Sequence, residues 1–323
     1  MGHIEELKPS LMLKFIFSRL LGALPVIGFV AAAAFLFLRL SGDPVASMLG
    51  ENATAQQVAE TREALGLDQP ILVQFLNWIL HVLRGDFGTS IVTHEPVWRM
   101  VSERLEATLS LAFTTTLLSV LVAVPLGLYA ARHRNSPIDR IIVSLCTTGF
   151  SIPTFVTGYL LVWLFSIKLE WLPAQGYASL ANGVGPWLLH LIAPTVAMST
   201  VFIVLVARIT RAAAIDVLNQ DYVRTARALG GRNLRVFLLH VLPNAAVPII
   251  TIIGVGIGLV LTGVVVTETI FNLPGLGRLT IESVLARDFP VIQCVIVLFS
   301  LTYVLINLVT DILYSLLDPR IRY

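Results

Sequence analysis

Side chains able to do chemistry are sparse and scattered in this chain of 323 residues. Glu268, in Val266-Thr267-Glu268-Thr269, and Asp311 are acids set in otherwise apolar segments, where ionisable groups are costly and so become candidates for function. Glu268 falls at the outer end of its segment, which leaves a solvated or gate-lining carboxylate and a substrate contact both open. Asp311 lies at the inner end of another, suited to pairing with an arginine or to capping a helix. No second acid or histidine stands at similar depth to receive a proton, so nothing supports a proton relay. The histidines, His3, His81, His94, His133, His190 and His240, occur singly and without metal-ligand spacing, and no metal site is expected. Cys146 and Cys294 both fall inside apolar runs and read as small buried hydrophobes. No serine or cysteine has a histidine at a convincing helical spacing, which argues against an intramembrane hydrolase. No G-x-x-x-x-G-K-[ST] phosphate loop occurs, so nothing here can cradle ATP.

The one dense cluster of charge is Asp221 to Ala245, which carries Arg224, Arg227, Arg232 and Arg235 around Gly230-Gly231. Asp221 suits a helix N-cap and the glycine pair suits a stop, which predicts a two-turn helix over Tyr222 to Leu229. Within it Tyr222, Ala226 and Leu229 fall at i, i+4 and i+7 as one apolar stripe, with Arg224 and Arg227 facing elsewhere. A helix this short needs a partner to dock on. Asn233 can cap a second short helix, Leu234 to Leu242, which Pro243 ends or joins to the next apolar segment. On these residues alone two readings stand: a helical corner inserted into a groove of another protein, or basic residues that touch lipid headgroups.

The elements that must hold these groups are membrane helices. Of the residues 56% are apolar and 13% charged, and the mean hydropathy is +0.83, far above a soluble domain of this length. A net charge of +2 is too small to argue for nucleic acid. Six apolar runs are long enough to span, namely Phe15 to Leu38, Thr108 to Ala131, Ile141 to Ile167, Trp187 to Ala207, Ala245 to Thr267 and Val291 to Leu313. The expected fold class is therefore an all-α membrane protein with six transmembrane helices. Glu5, Glu6 and Pro9 precede the first run, which is too long for a signal core and reads as a retained span. Fourteen lysines and arginines fall on the side of the termini and of Asp221 to Ala245, against three in the other short loops, which puts both termini in the cytoplasm. The chain divides into residues 1–40, the N-terminus and first span; 41–106, an outer loop; and 107–323, a five-span core. In the outer loop Thr54 and Gln57 form a capping-box pattern for a helix that closes near Leu65-Gly66, and Ile71 to Leu83 suits a helix lying at the outer interface. Pro125, Pro153 and Pro194, with Gly254, Gly256 and Gly258, interrupt spans. They fit kinks and close helix packing, or bends that permit gating and a glycine run that lines a pathway.

From Gly230, the spacing to Leu242-Pro243 resembles the cytoplasmic Glu-Ala-Ala loop of ABC-transporter permease subunits. Tyr222-Val223-Arg224-Thr225-Ala226-Arg227-Ala228-Leu229-Gly230 looks like the version in permeases for dipeptides, oligopeptides and nickel. Gly42-Asp43-Pro44, Leu65-Gly66-Leu67-Asp68-Gln69-Pro70, Gly85-Asp86-Phe87-Gly88, Ser151-Ile152-Pro153-Thr154-Phe155, Pro274-Gly275-Leu276-Gly277, Arg287-Asp288-Phe289-Pro290 and the terminal Asp318 to Tyr323 match the same subfamily in order. The resemblance implies the type I importer permease fold in a bacterial inner membrane. It implies a second, similar permease subunit, two cytoplasmic ATP-binding subunits that hold the ATP and Mg, and an extracytoplasmic substrate-binding protein. It gives Tyr222 to Gly230 the role of the coupling helix, in a cytoplasmic segment at about 221–243. Arg224-Thr225-Ala226 stands where the general motif has Glu-Ala-Ala, so a task held by that glutamate does not carry over. Peptides lead the expected cargo, with glutathione, nickel complexes and oligosaccharides as alternatives within the subfamily. A self-sufficient secondary carrier is the competing class, and the paired mid-membrane ionisable residues it would use are missing.

Overall fold

The computed structural model describes residues 9–41, 45, 54–64, 66–230 and 233–317. The Gly42-Asp43-Pro44 motif, Leu65, Gly231, Arg232 and the terminal Asp318 to Tyr323 lie outside the described residues. In chain order the helices are α1 (Pro9–Ser41), α2 (Ala55–Ala64), α3 (Ile71–Leu83), α4 (Val97–Arg132), α5 (Pro137–Ser151), α6 (Thr154–Leu161), α7 (Val184–Leu218), α8 (Asp221–Ala228), α9 (Asn233–Val236), α10 (Leu242–Ile270), α11 (Leu276–Leu285) and α12 (Phe289–Leu317). Among the described residues the extended backbone is limited to one isolated antiparallel bridge, Thr89 with Pro96.

Among the described residues five helices are long and apolar enough to cross a membrane, and a sixth crossing results if α5 and α6 form one span. They do not form a straight one. The chain turns by 94° between them, and Ile152 is extended at ψ 118° because a residue before proline is driven out of the helical region. A π-helical turn, Val162–Lys168, then prolongs α6. A second π-helical turn, Phe237–Val241, joins α9 to α10. The expected short helix closed by Pro243 is therefore part of a continuous run, and Pro243 stands in the first turn of α10, directly after the π-helical turn.

The chain forms two compact units, one of Met1–Glu106 with Gly275–Val304 and the other of Ala107–Pro274 with Leu305–Tyr323. In the first, the capping box opening α2 is made as the sequence predicts. The Thr54 N–H donates to Gln57 Oε1 at 3.0 Å, and the Gln57 N–H to Thr54 Oγ1 at 3.3 Å. Phe35 of α1 packs against Phe75 and Trp78 of α3, while Leu72, Leu76, Leu80 and Leu83 remain exposed. Between α3 and α4 a turn is pinned by Asp288, whose carboxylate accepts from the Ser90 hydroxyl and, at 3.2 Å, from the Ile91 N–H.

In the second unit α7 is the central helix, packed by α10, α5 and α6 around an apolar core that includes Leu111, Leu191, Phe202, Val206, Val264 and Leu273. Close approach depends on small residues. A Cβ on Gly127 would lie 2.6 Å from the Ala207 carbonyl oxygen, and one on Gly256 would lie 1.9 Å from Phe202 Cε2. In hydrocarbon, where apolar burial gives little preference for one partner over another, such contacts hold helices together by dispersion.

Candidate functional site

The two-turn helix expected near Asp221 exists as α8, shifted by one residue. Gln220 takes the N-cap position with extended backbone, and Asp221 lies in the first turn. Gly230 ends the segment at φ +85°, a conformation that favours glycine. The face that packs inward differs from the predicted one. Val223 is fully buried and sits with half-buried Ala226 among Leu128 and Ala131 of α4, Ala214 and Leu218 of α7, and Val236 and Phe237. Tyr222 and Leu229 are 46% and 83% exposed. The stripe of Tyr222, Ala226 and Leu229 is thus divided: Ala226 joins Val223 in the seat, and Tyr222 and Leu229 point away from it. Arg224, Thr225, Arg227 and Ala228 are exposed, with Asp221 3.6 Å from Arg224 as a loose surface pair. The reason is tertiary. Val223 meets an apolar pocket built by three other helices, which outweighs the i, i+4, i+7 pattern read within eight residues.

Glu268 is not solvated. Its side chain is fully buried and accepts from Thr108 Oγ1 at 2.6 Å, tying the last turn of α10 to α4. Its own carbonyl accepts from the Leu273 N–H at 2.9 Å, which closes the turn after α10. Gly254 and Gly256 are likewise buried, packed on Thr310 and Phe202. Gly258 is half-buried. Pro153 is exposed at the break between α5 and α6.

One arrangement had no signal in sequence. Asp139, in the first turn of α5, accepts from Arg211 of α7 through both oxygens, Oδ1 from Nε at 2.6 Å and Oδ2 from Nη2 at 2.7 Å. The Asn135 N–H donates to the same Oδ2 at 3.0 Å, and Ser136 caps the helix by accepting from the Asp139 N–H. The partners are 72 residues apart, so neither local spacing nor motif could have joined them.

Two family models match this chain. Residues 123–323 match the binding-protein-dependent transport system inner membrane component, and residues 12–112 match the N-terminal part of the same kind of membrane component. A probable peptide ABC transporter permease protein of Sinorhizobium fredii, y4tP, is 48% identical over 310 residues, covering 96% of this chain and 99% of the relative. The glutathione transport system permease protein GsiC of Salmonella choleraesuis is 45% identical over 313 residues, covering 97% and 100%. Among solved structures, the MetNI methionine ABC transporter in an inward-facing conformation superposes with a TM-score of 0.59 at 15% identity, over 68% of this chain and 97% of that one, which shows the type I importer permease fold. The matched residues and their near end-to-end coverage place the chain in the family of binding-protein-dependent transport system inner membrane components, as a permease subunit of an ATP-driven importer.

Proposed function

We propose that this permease forms half of a translocation pathway for short peptides, glutathione included, and that α8 is where a cytoplasmic ATPase docks. The second half comes from a similar permease subunit, each permease receives one ATP-binding subunit, and ATP and Mg stay on those subunits. A binding protein delivers the cargo from outside, and both termini lie in the cytoplasm. The observation that carries the reading is the divided face of α8: Val223 and Ala226 anchor it to three helices of this chain, which leaves Tyr222 and Leu229 as an exposed apolar pair rimmed by Arg224 and Arg227. Such a pair suits insertion into a groove of a partner, and a helix anchored on its other face moves its neighbours when the partner moves. The cargo class rests on the printed names of two relatives, one a peptide permease and one a glutathione permease, glutathione being itself a peptide.

The test is co-purification of the whole complex from membranes. Leu229→Asp is expected to lower the recovered ATPase by about tenfold, as loss of one buried apolar anchor does, while the permease remains inserted. Undiminished recovery and normal binding-protein-stimulated hydrolysis would refute the docking role. Calorimetric titration of the binding protein with dipeptides, tripeptides, glutathione, nickel chelates and oligosaccharides tests the cargo, and binding of a sugar or nickel chelate alone would exclude peptides.

A further inference from the structure

The cytoplasmic third of α7 touches four elements in twelve residues. Ala207 and Thr210 meet Gly127 of α4, Arg211 binds Asp139 of α5, Ala213 packs with Ala245 and Ile249 of α10, and Ala214 and Leu218 form part of the seat of Val223. The contact to α4 is a close backbone approach at Gly127, and those to α8 and α10 are apolar and spread over several side chains. The contact to α5 differs in kind. Of the fifteen residues of α5 only Asp139 and Cys146 are buried, and beside Cys146 a groove of about 240 Å³ opens between α4, α5 and α7, lined by Leu118, Leu126, Leu145, Ser199 and Ile203. The helix rests on its neighbours through Ile142, Cys146 and Gly149, is bent sharply from α6 at one end, and at the other end its polar tie to α7 is one bidentate ion pair.

Stability alone does not explain that pair. Replacing a buried ion pair by apolar side chains of similar volume is often neutral, because desolvation offsets the attraction. What a bidentate guanidinium–carboxylate pair supplies is direction, two parallel bonds that fix both partners' orientation. We propose that Asp139 and Arg211 are positioning residues for transport, which make the broken span α5–α6 follow the movement of the ATPase-docking helix. The inference rests on the reading of α8 above. When a docked ATPase displaces α8, the seat carries the displacement to the end of α7. Arg211 passes it to the start of α5, and the bend at Ser151 to Pro153 is where the angle of the span changes.

The test uses the complete reconstituted transporter in a background of Cys146→Ser and Cys294→Ser, with Ile152→Cys as a reporter at the bend. The rate of labelling by a membrane-impermeant maleimide is compared between the ATP-free and vanadate-trapped states. The parent is expected to show a clear difference between states. Asp139→Asn is expected to shrink that difference about tenfold while stimulated hydrolysis stays within about twofold, the scale of an interaction that links two sites. Arg211→Lys, which keeps the charge and loses the fork, is expected to fall between them. The exchanged pair Asp139→Arg with Arg211→Asp is expected to restore at least half of the difference. An undiminished difference in Asp139→Asn overturns the proposal, as does a parent with no difference. Loss of assembly in the single variants that the exchanged pair fails to rescue overturns it too, since the pair would then serve folding. Leu229→Asp is the separate control: if it keeps both stimulation and labelling difference, the docking role of α8 fails while the result for the ion pair stands.

Discussion

Val223 is buried within α8 and Leu229, just past its end, is exposed, so they give opposite expectations. Val223→Asp places a charge in a pocket of Leu128, Ala131 and Val236, and loss of the folded permease from membranes is expected, as an unpaired buried charge costs several kcal/mol. Leu229→Asp leaves the folded yield unchanged and affects only recovery of the ATPase. Equal yields of the two variants in detergent would refute the assignment of faces. Gly256 is subject to a steric limit. Gly256→Ala is expected to lower the melting temperature of the purified complex, with overpacking of about 1–3 kcal/mol, and Phe202→Leu in the same chain is expected to recover part of it. A melting curve unchanged by Gly256→Ala would contradict the close approach of Phe202. Glu282 is flanked by Arg104 at 3.0 Å and Arg278 at 2.7 Å. Burial, the largest single influence, pushes its carboxyl up, but the hydrogen bonds and charges of the two guanidiniums together outweigh it and hold the group below its usual 4.5. Because the native value is depressed, the contribution is complete above the unfolded value and is lost as pH falls through the native one. Glu282→Gln is therefore expected to melt below wild type near pH 7, with the gap closing at about pH 4 and below. A gap that stays constant over that range would show that the charge is not its cause.

At the scale of elements, the sequence was informative wherever a rule is local. The helix over Ile71–Leu83 and the capping box at Thr54 and Gln57 appear where they were expected, because caps, prolines and apolar runs act within a few residues. The stop at Gly230 is of the same kind. Gly230→Ala is expected to cost about 1–2 kcal/mol at its positive φ and to reduce ATPase recovery by loosening the end of α8, and full recovery would mean that the end tolerates rearrangement. What was illegible depends on distant partners. The inward turn of Val223 needs the pocket of α4 and α7, the burial of Glu268 needs Thr108, 160 residues away, and the Asp139–Arg211 pair spans 72. Pro153 announced a bend, but the angle of 94° follows from how α5 and α6 each pack on α7.

For the whole molecule, if α5 and α6 count as one crossing the chain crosses six times, and the turn around Thr93 and the helix α8 are then expected to face opposite compartments. Thr93 and Leu229 are both exposed. In intact cells Thr93→Cys is expected to react with an impermeant maleimide and Leu229→Cys only after permeabilisation; reaction of both from outside would mean that α5 and α6 re-enter without crossing. The continuity of Phe237–Ile270 also has a mechanical meaning. Its 34 residues make a rod of about 50 Å at about 1.5 Å per residue. Phe237 and Val241 at its root lie in the seat of α8, and Glu268 at its tip is bound to Thr108. A tilt of only about 5° about the root would carry the tip by about 4 Å on that length, more than the Thr108 hydrogen bond can stretch. The fifth span thus has the proportions of a lever arm with a catch at its far end, and a small displacement of its root is expected either to break that catch or to swing α4 along with it.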